Sequence, residues 1–228
     1  MNLVDCQDWI ASYCHSDYYA NQYRAMENDY LPHLCGLIET LPAKPVTSME
    51  VGPGWGTMAA WLAFRKTYCV LVDLVPLGNY ITQALLDAIE TKSLTQVRYI
   101  QADVCRGIPG AVKHDLVYDL VLMTQVLPHL KWNPLPAVQN LADATRHNGL
   151  CIVTALDRHA YPRVLPPYEH WHQVPERGTE PPNQEMVVTM YDSGDLMDLM
   201  GTAFGSVRVY RPKGSTCLFA ECREPRHG

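Results

Sequence analysis

Short, nearly continuous apolar runs alternate along this chain with stretches whose apolar positions recur every three or four residues. That alternation marks buried strands separated by amphipathic helices. The strand candidates are Val46–Val51, Tyr68–Asp73, Val97–Ile100, Tyr118–Met123 and Leu150–Leu156. The helical stretches are Leu3–Tyr13, the segment from Ser16 to Leu41, a run opening at Met58, Asn79–Glu90 and Pro134–Thr145. In the second of these, Ser16 or Asp17 can cap the helix, and Tyr19, Tyr23 and Met26 recur at near-helical spacing. Pro32 is expected to interrupt or restart it, with Leu34, Leu37, Ile38 and Leu41 supplying the next apolar face. Asn133 is placed to cap the helix before the fifth strand, and Asn148-Gly149 to end it. Repeated strand-helix units predict a three-layer α/β sheet protein.

The rhythm breaks at Asp157–Met186, which holds six prolines, three histidines and three Tyr or Trp residues. A long irregular stretch inside a compact domain is usually a lid or binding loop. After it, Val187–Met190 returns as an extended segment, and Asp192 or Ser193 caps a helix carrying Leu196 and Leu199 that Gly205 can end. Ser206–Tyr210 and Ser215–Glu221 then form two strands around Arg211-Pro212-Lys213-Gly214.

At 228 residues the chain can bury one sizeable core, and two independent domains would be cramped. Lys and Arg number 18 against 24 Asp and Glu, a net charge of -6. That balance, with no long basic run, argues against nucleic acid or an anionic membrane as the main partner. The eight cysteines contain no Cys-x-x-Cys pair, and Cys69 and Cys151 fall inside apolar strands as core thiols do. No basic amino-terminal segment leads into an apolar run, so a reduced cytoplasmic protein is expected.

The most informative stretch is Val46–Thr57, VTSMEVGPGWGT. Glycines between a strand and a helix let backbone N–H groups approach a ligand where side chains would block it. The Gly-x-Gly-x-Gly spacing of Gly52, Gly54 and Gly56 lacks the Gly-Lys-Ser/Thr that grips a polyphosphate. It is also tighter than the dinucleotide fingerprint of a nicotinamide oxidoreductase. The strand also carries an acid, Glu50, which a polyphosphate would oppose and a zwitterion would tolerate.

Glu50-Val51-Gly52-Pro53-Gly54-Trp55-Gly56 resembles the first motif of the class I S-adenosylmethionine-dependent methyltransferases. The resemblance runs from about Tyr18 to Glu221 and is strengthened by the order of the later motifs: Asp73 ending the second strand, Gln101-Ala102-Asp103-Val104 after the third, and Asp119–Leu130 through the fourth. It implies a Rossmann-like fold, with a seven-stranded, mostly parallel sheet and an antiparallel strand from the terminal hairpin. It implies one methyltransferase domain over 1–228, with 1–42 as a helical cover and 157–190 as a substrate lid inserted after the fifth strand. It implies S-adenosylmethionine as donor, held by Glu50, Gly52, Gly54 and Gly56, by Asp73 at the ribose with Leu74 beside it, and by Asp103 and Val104 at the adenine. Thr124 and Gln125 border the donor, and Tyr18 and Tyr23 close over it from the cover.

Three residues are candidates for catalysis: His129, Tyr19 and His170. His129 follows the fourth strand in TQVLPHL, where donor and acceptor meet in the resembling enzymes. Neutral imidazole can accept a proton near pH 7, although a sulfonium donor asks little acid-base help of the protein. Pro128 stands before His129 here, a departure from the commoner His-His-Leu form. Tyr168, His170, Trp171 and His172 are candidates for acceptor recognition. A metal held by His170 and His172 with Asp157 or Glu169 lacks a characteristic third-ligand spacing, and no metal is expected. The expected reaction is methylation of a nitrogen or oxygen of a small organic molecule by a monomer or homodimer. A peptide or protein methyltransferase, or an inactive donor-binding partner protein, remains the alternative.

Overall fold

The computed structural model describes residues 1–14, 17–108, 117–161, 168, 170–176 and 189–226. Ser16, Glu169, and the parts of the insert and of the return to Met190 at 162–167 and 177–188 lie outside the described residues. The chain divides into two compact units, Met1–Gln101 and Ala102–Gly228. Its strands belong to a seven-stranded sheet in the order β3-β2-β1-β4-β5-β7-β6.

In the first unit, helices α1 (Leu3–Cys14) and α2 (Arg24–Glu39) precede β1 (Thr47–Val51), α3 (Thr57–Ala63), β2 (Tyr68–Asp73), α4 (Gln83–Ser93) and β3 (Val97–Gln101). β1 pairs in parallel with β2, which pairs in parallel with β3. Met49, Val51, Val70, Leu71 and Val72 are buried, as expected where helices cover a parallel sheet on both faces. The Thr82 hydroxyl accepts from the Leu85 N–H and starts α4 later than the periodicity suggested.

Two expectations about the preface are corrected. The entry into α2 is a π-helical turn, Tyr19–Tyr23. Pro32 neither interrupts nor restarts α2 but lies inside it. Pro32 sits on the exposed face, where water can satisfy the carbonyl whose helical donor the ring removes. Met26 is likewise exposed.

The second unit contains β4 (Tyr118–Thr124), α5 (Leu135–Ala144), β5 (Thr145–Leu156), α6 (Ser193–Gly201), β6 (Phe204–Tyr210) and β7 (Cys217–Pro225). β4 and β5 are parallel, while β7 runs antiparallel to both β5 and β6. The terminal hairpin therefore supplies the one antiparallel strand, β7. Asn148-Gly149 does not end a helix. β5 already begins at Thr145, and its register with β4 slips between Tyr118 and Leu120. A β-carbon at Gly149 would come 2.9 Å from the carbonyl oxygens of both Tyr118 and Arg146, so this irregular pairing needs the glycine. Arg146 forms an ion pair with Asp119 at the same end of β4. Asp192 caps α6 by accepting from the Asp195 N–H at 2.8 Å, and the helix ends at Gly201 rather than Gly205.

Candidate functional site

In the first unit the chemistry collects where β1 turns into α3. Gly52, Gly54 and Gly56 have φ of 65°, 54° and 83°, three left-handed positions that L-residues adopt only with strain. Gly54 carries a second constraint. A β-carbon there would stand 1.8 Å from the Tyr23 hydroxyl, so the ring of Tyr23 rests directly on the loop. That ring is flanked by Tyr19 at 5.9 Å, Tyr18 at 6.4 Å and Trp55 at 6.4 Å between centroids. Trp55 also meets Tyr80 at 5.6 Å.

Beneath this aromatic cover lies a polar network. The buried carboxylate of Glu27 accepts from Gln7 Nε2 at 3.2 Å and from the Tyr19 hydroxyl at 3.1 Å. The same hydroxyl lies 2.8 Å from Thr57 Oγ1, at the first residue of α3. Glu27 thus ties α1, the π turn and α2 to the helix that follows the glycine loop. Burial raises its pKa, against the lowering effect of its hydrogen bonds and of Arg24. Tyr19, expected as a catalytic candidate, is fully buried with its hydroxyl in this network. It joins Glu27 to the first residue of the loop helix.

Two polar atoms of the loop region are buried without a hydrogen-bond partner among the described residues: Glu50 Oε2 and Trp55 Nε1. One is an acceptor and the other a donor. Glu50 is 4% exposed; burial first, then repulsion from Glu27 and Asp73, raises its pKa to about 8. Asp73, half-buried at the end of β2, accepts from the Val75 N–H at 3.2 Å, and burial raises its pKa. Next to it Leu74 is exposed, its carbonyl accepting from Gln101 Nε2. Tyr18 is also exposed. A cavity of about 420 Å³ in this unit, lined by Ile38, Lys44, Trp61, Phe64 and Arg65 among others, flanks the starts of β1 and β2. The glycine loop lies at the far end of β1, so that cavity is not its site.

The second unit holds the remaining candidates. Asp103 accepts from the Cys105 N–H at 3.0 Å and faces Arg106 at 3.8 Å. Val104 is buried, its carbonyl accepting from Asn140. At the end of β4, Thr124 is buried and Gln125 adopts φ of 57°, a conformation uncommon outside glycine. The Gln125 amide is locked by donation to Thr154 Oγ1 and Cys217 Sγ, both at 3.1 Å. His129 ends a short 3₁₀ turn, Leu127–His129, whose Pro128 carbonyl accepts from the Thr189 N–H. The imidazole is exposed, yet the atoms crowding it lower its pKa by desolvation, which keeps it neutral at physiological pH.

In the insert, the rings of His170 and His172 stack at 5.3 Å, and His170 Nδ1 lies 3.4 Å from Asp195. Trp171 donates to Asp198 at 3.1 Å. Asp157 is turned away from a metal role: its carboxylate takes Arg211 at 2.8 Å and the His159 N–H at 2.9 Å. No group of three or more metal-ligating side chains occurs among the described residues. Nor is any described helix long and apolar enough to cross a membrane.

Sequence reasoning missed Glu27, Trp55 and Tyr80 as members of the loop site. Glu27 was within reach, since Tyr19, Tyr23 and Glu27 recur at four-residue spacing on one helical face.

A glycine-hinged turn between β1 and α3, within a seven-stranded sheet ending in an antiparallel hairpin, defines the class I methyltransferase architecture. Residues 49–153 match a family described as a methyltransferase domain. The chain carries a class I S-adenosylmethionine-dependent methyltransferase domain; it is an enzyme of that class, and S-adenosylmethionine is its methyl donor. No curated protein sequence matches it.

Solved structures share the fold. A DhpI complex with S-adenosylhomocysteine is 13% identical, with a TM-score of 0.61 over 99% of this chain and 98% of the other. The N-methyltransferase NodS from Bradyrhizobium japonicum, also with S-adenosylhomocysteine, is 13% identical, with a TM-score of 0.59 over 97% and 99%. A Burkholderia thailandensis 1,6-didemethyltoxoflavin-N1-methyltransferase is 14% identical, with a TM-score of 0.62 over 96% and 88%. Likeness at this identity establishes the fold alone.

The loop residues fit the donor. Its methionine end carries an ammonium and a carboxylate, and the loop region offers them an idle buried acceptor, Glu50 Oε2, and an idle buried donor, Trp55 Nε1.

Proposed function

We propose that this enzyme transfers a methyl group from S-adenosylmethionine to a nucleophilic nitrogen or oxygen of a small organic molecule. The observation that carries the donor half is the pair of unpartnered buried atoms at the glycine loop, Glu50 Oε2 and Trp55 Nε1. When bound, the donor supplies a methyl group on a positively charged sulfur, already activated toward attack. Glu50 takes its ammonium, Trp55 its carboxylate, Asp73 the ribose hydroxyls, and Asp103 with Val104 the adenine. Tyr23 covers the methionine end from the helical preface and excludes water there.

The acceptor half rests on the chemistry of the second unit. His129 is the group that accepts the acceptor's proton, because its desolvated ring stays neutral. The segment 157–190 is the substrate lid of a single catalytic domain, its Tyr168, His170, Trp171 and His172 recognising a compact organic molecule. The N-methyltransferase and the 1,6-didemethyltoxoflavin-N1-methyltransferase among the structural relatives support an acceptor of that kind. The net charge of -6 supports a partner other than nucleic acid.

The test is methyl transfer from labelled donor to panels of small amines and phenols, and separately to peptides, read by mass spectrometry. Turnover is expected with members of the small-molecule panel. Shortening 162–188 is expected to remove that turnover while leaving donor affinity within about threefold, a difference of under roughly 1 kcal/mol. Transfer to peptides alone would move the reading to a protein methyltransferase. Donor binding with no transfer to any panel would move it to an inactive partner protein.

A further inference from the structure

Assigning Glu50 to the donor's ammonium leaves open which form of Glu50 waits for it. The side chain is 4% exposed, and Oε2 has no hydrogen-bond partner among the described residues. The titratable groups that face it come from three elements. They are Glu27 of α2, Asp73 and Cys69 of β2, and Tyr23 of the π turn. None of these is a cation; Arg24 acts on Glu27 instead. A carboxylate stripped of water and surrounded by acids keeps its proton. Burial and the two neighbouring acids accordingly raise its pKa to about 8.

We infer that Glu50 couples donor binding to proton release: the ligand-free protein holds it as a neutral acid, and seating the ligand's ammonium beside Oε2 sends its proton to solvent. The inference rests on the donor reading above. One O–H bond of Glu50 breaks, the proton passes to buffer, and the resulting carboxylate accepts a charge-assisted hydrogen bond from the ammonium, which keeps all its own protons. The Trp55 indole, a donor that cannot ionise near neutrality, takes the ligand's carboxylate without proton exchange. Ligands with the amino-acid end therefore bind with a proton cost that ligands without it escape.

Linkage gives the sign. Below about pH 8 the free protein must give up a proton to bind, so each unit fall in pH lowers affinity about tenfold, and above it the dependence levels off. The experiment titrates wild type and Glu50→Gln with S-adenosylhomocysteine and with methylthioadenosine, which lacks the amino-acid end. It spans about pH 6 to pH 8, in buffers of different ionisation enthalpy. Wild type is expected to bind S-adenosylhomocysteine with affinity rising about tenfold per unit and release of about one proton, and methylthioadenosine with neither effect. Glu50→Gln, close in shape to the neutral acid, is expected to show no pH slope with either ligand. Glu27→Gln, with less repulsion on Glu50, is expected to level off at lower pH.

A flat wild-type profile with S-adenosylhomocysteine overturns the coupling while leaving the donor reading intact, as does a slope that survives in Glu50→Gln. If Glu50→Gln does not fold, the wild-type contrast between the two ligands decides alone. Wild-type protein that binds neither ligand overturns the donor reading itself, and the coupling with it.

Discussion

Gly54→Val is expected to abolish measurable S-adenosylhomocysteine binding, a loss of at least about a hundredfold in affinity or roughly 3 kcal/mol. Two costs meet at this position. The backbone sits at φ of 54°, where a β-branched residue is strained. The new β-carbon would also fall 1.8 Å from the Tyr23 hydroxyl. Tyr23 has little room to yield, because the rings of Tyr18, Tyr19 and Trp55 flank it. The loop must therefore deform, and the loop is what the donor reads. The double variant Gly54→Ala with Tyr23→Ala separates the two costs. It removes the clash and keeps only a left-handed strain of roughly 1–2 kcal/mol, so part of the affinity should return. Calorimetry on variants whose circular dichroism matches wild type checks both. Unchanged affinity in Gly54→Val would show that the donor does not use this loop.

Replacing His129 by Gln is expected to cut the single-turnover methylation rate by about a hundredfold or more for an acceptor that must lose a proton, the range general-base catalysis contributes. Donor affinity should change little. The pH profile carries the sharper information. Desolvation lowers the pKa of His129 from the ordinary histidine value, so the wild-type rate should stay flat through neutrality. It should fall only as pH drops through that lowered value, where the ring gains a proton and can no longer accept one. The Gln variant should lack that acidic limb. A retained rate with the same limb would assign proton removal elsewhere, and an acceptor already deprotonated in solution should be methylated by both proteins alike.

The first unit was the more legible part of the chain because its signals are local. A buried strand, three glycines and an apolar helix succeed one another within Val46–Phe64, and an acid closes the next strand at Asp73. The features that escaped depend on contacts between distant residues. Glu27 becomes part of the site only when Tyr19 bridges it to Thr57, which lies 38 positions beyond Tyr19. Trp55 reads as a variable position of the glycine motif until its ring is seen against Tyr19, Tyr23 and Tyr80. The helix boundaries erred for a related reason. Pro32 and Asn148-Gly149 are breakers by local chemistry, yet Pro32 sits on a wet face and Gly149 lies within β5, where the register with β4 slips. Tertiary packing outweighed propensity at both places. The acceptor site was the least legible, since its candidates are dispersed through an irregular, proline-rich insert with no periodic pattern.

The most direct test of the account is the affinity of the purified chain for S-adenosylhomocysteine, measured by calorimetry beside NADH and repeated with Asp73→Ala. One site with a dissociation constant in the micromolar range, about −8 kcal/mol, is expected. The nicotinamide dinucleotide should not displace the ligand, and Asp73→Ala should lose about tenfold or more in affinity, equivalent to roughly 1.4 kcal/mol of ribose contact. Binding of the dinucleotide in preference to S-adenosylhomocysteine, or binding of S-adenosylhomocysteine untouched by Asp73→Ala, would contradict it.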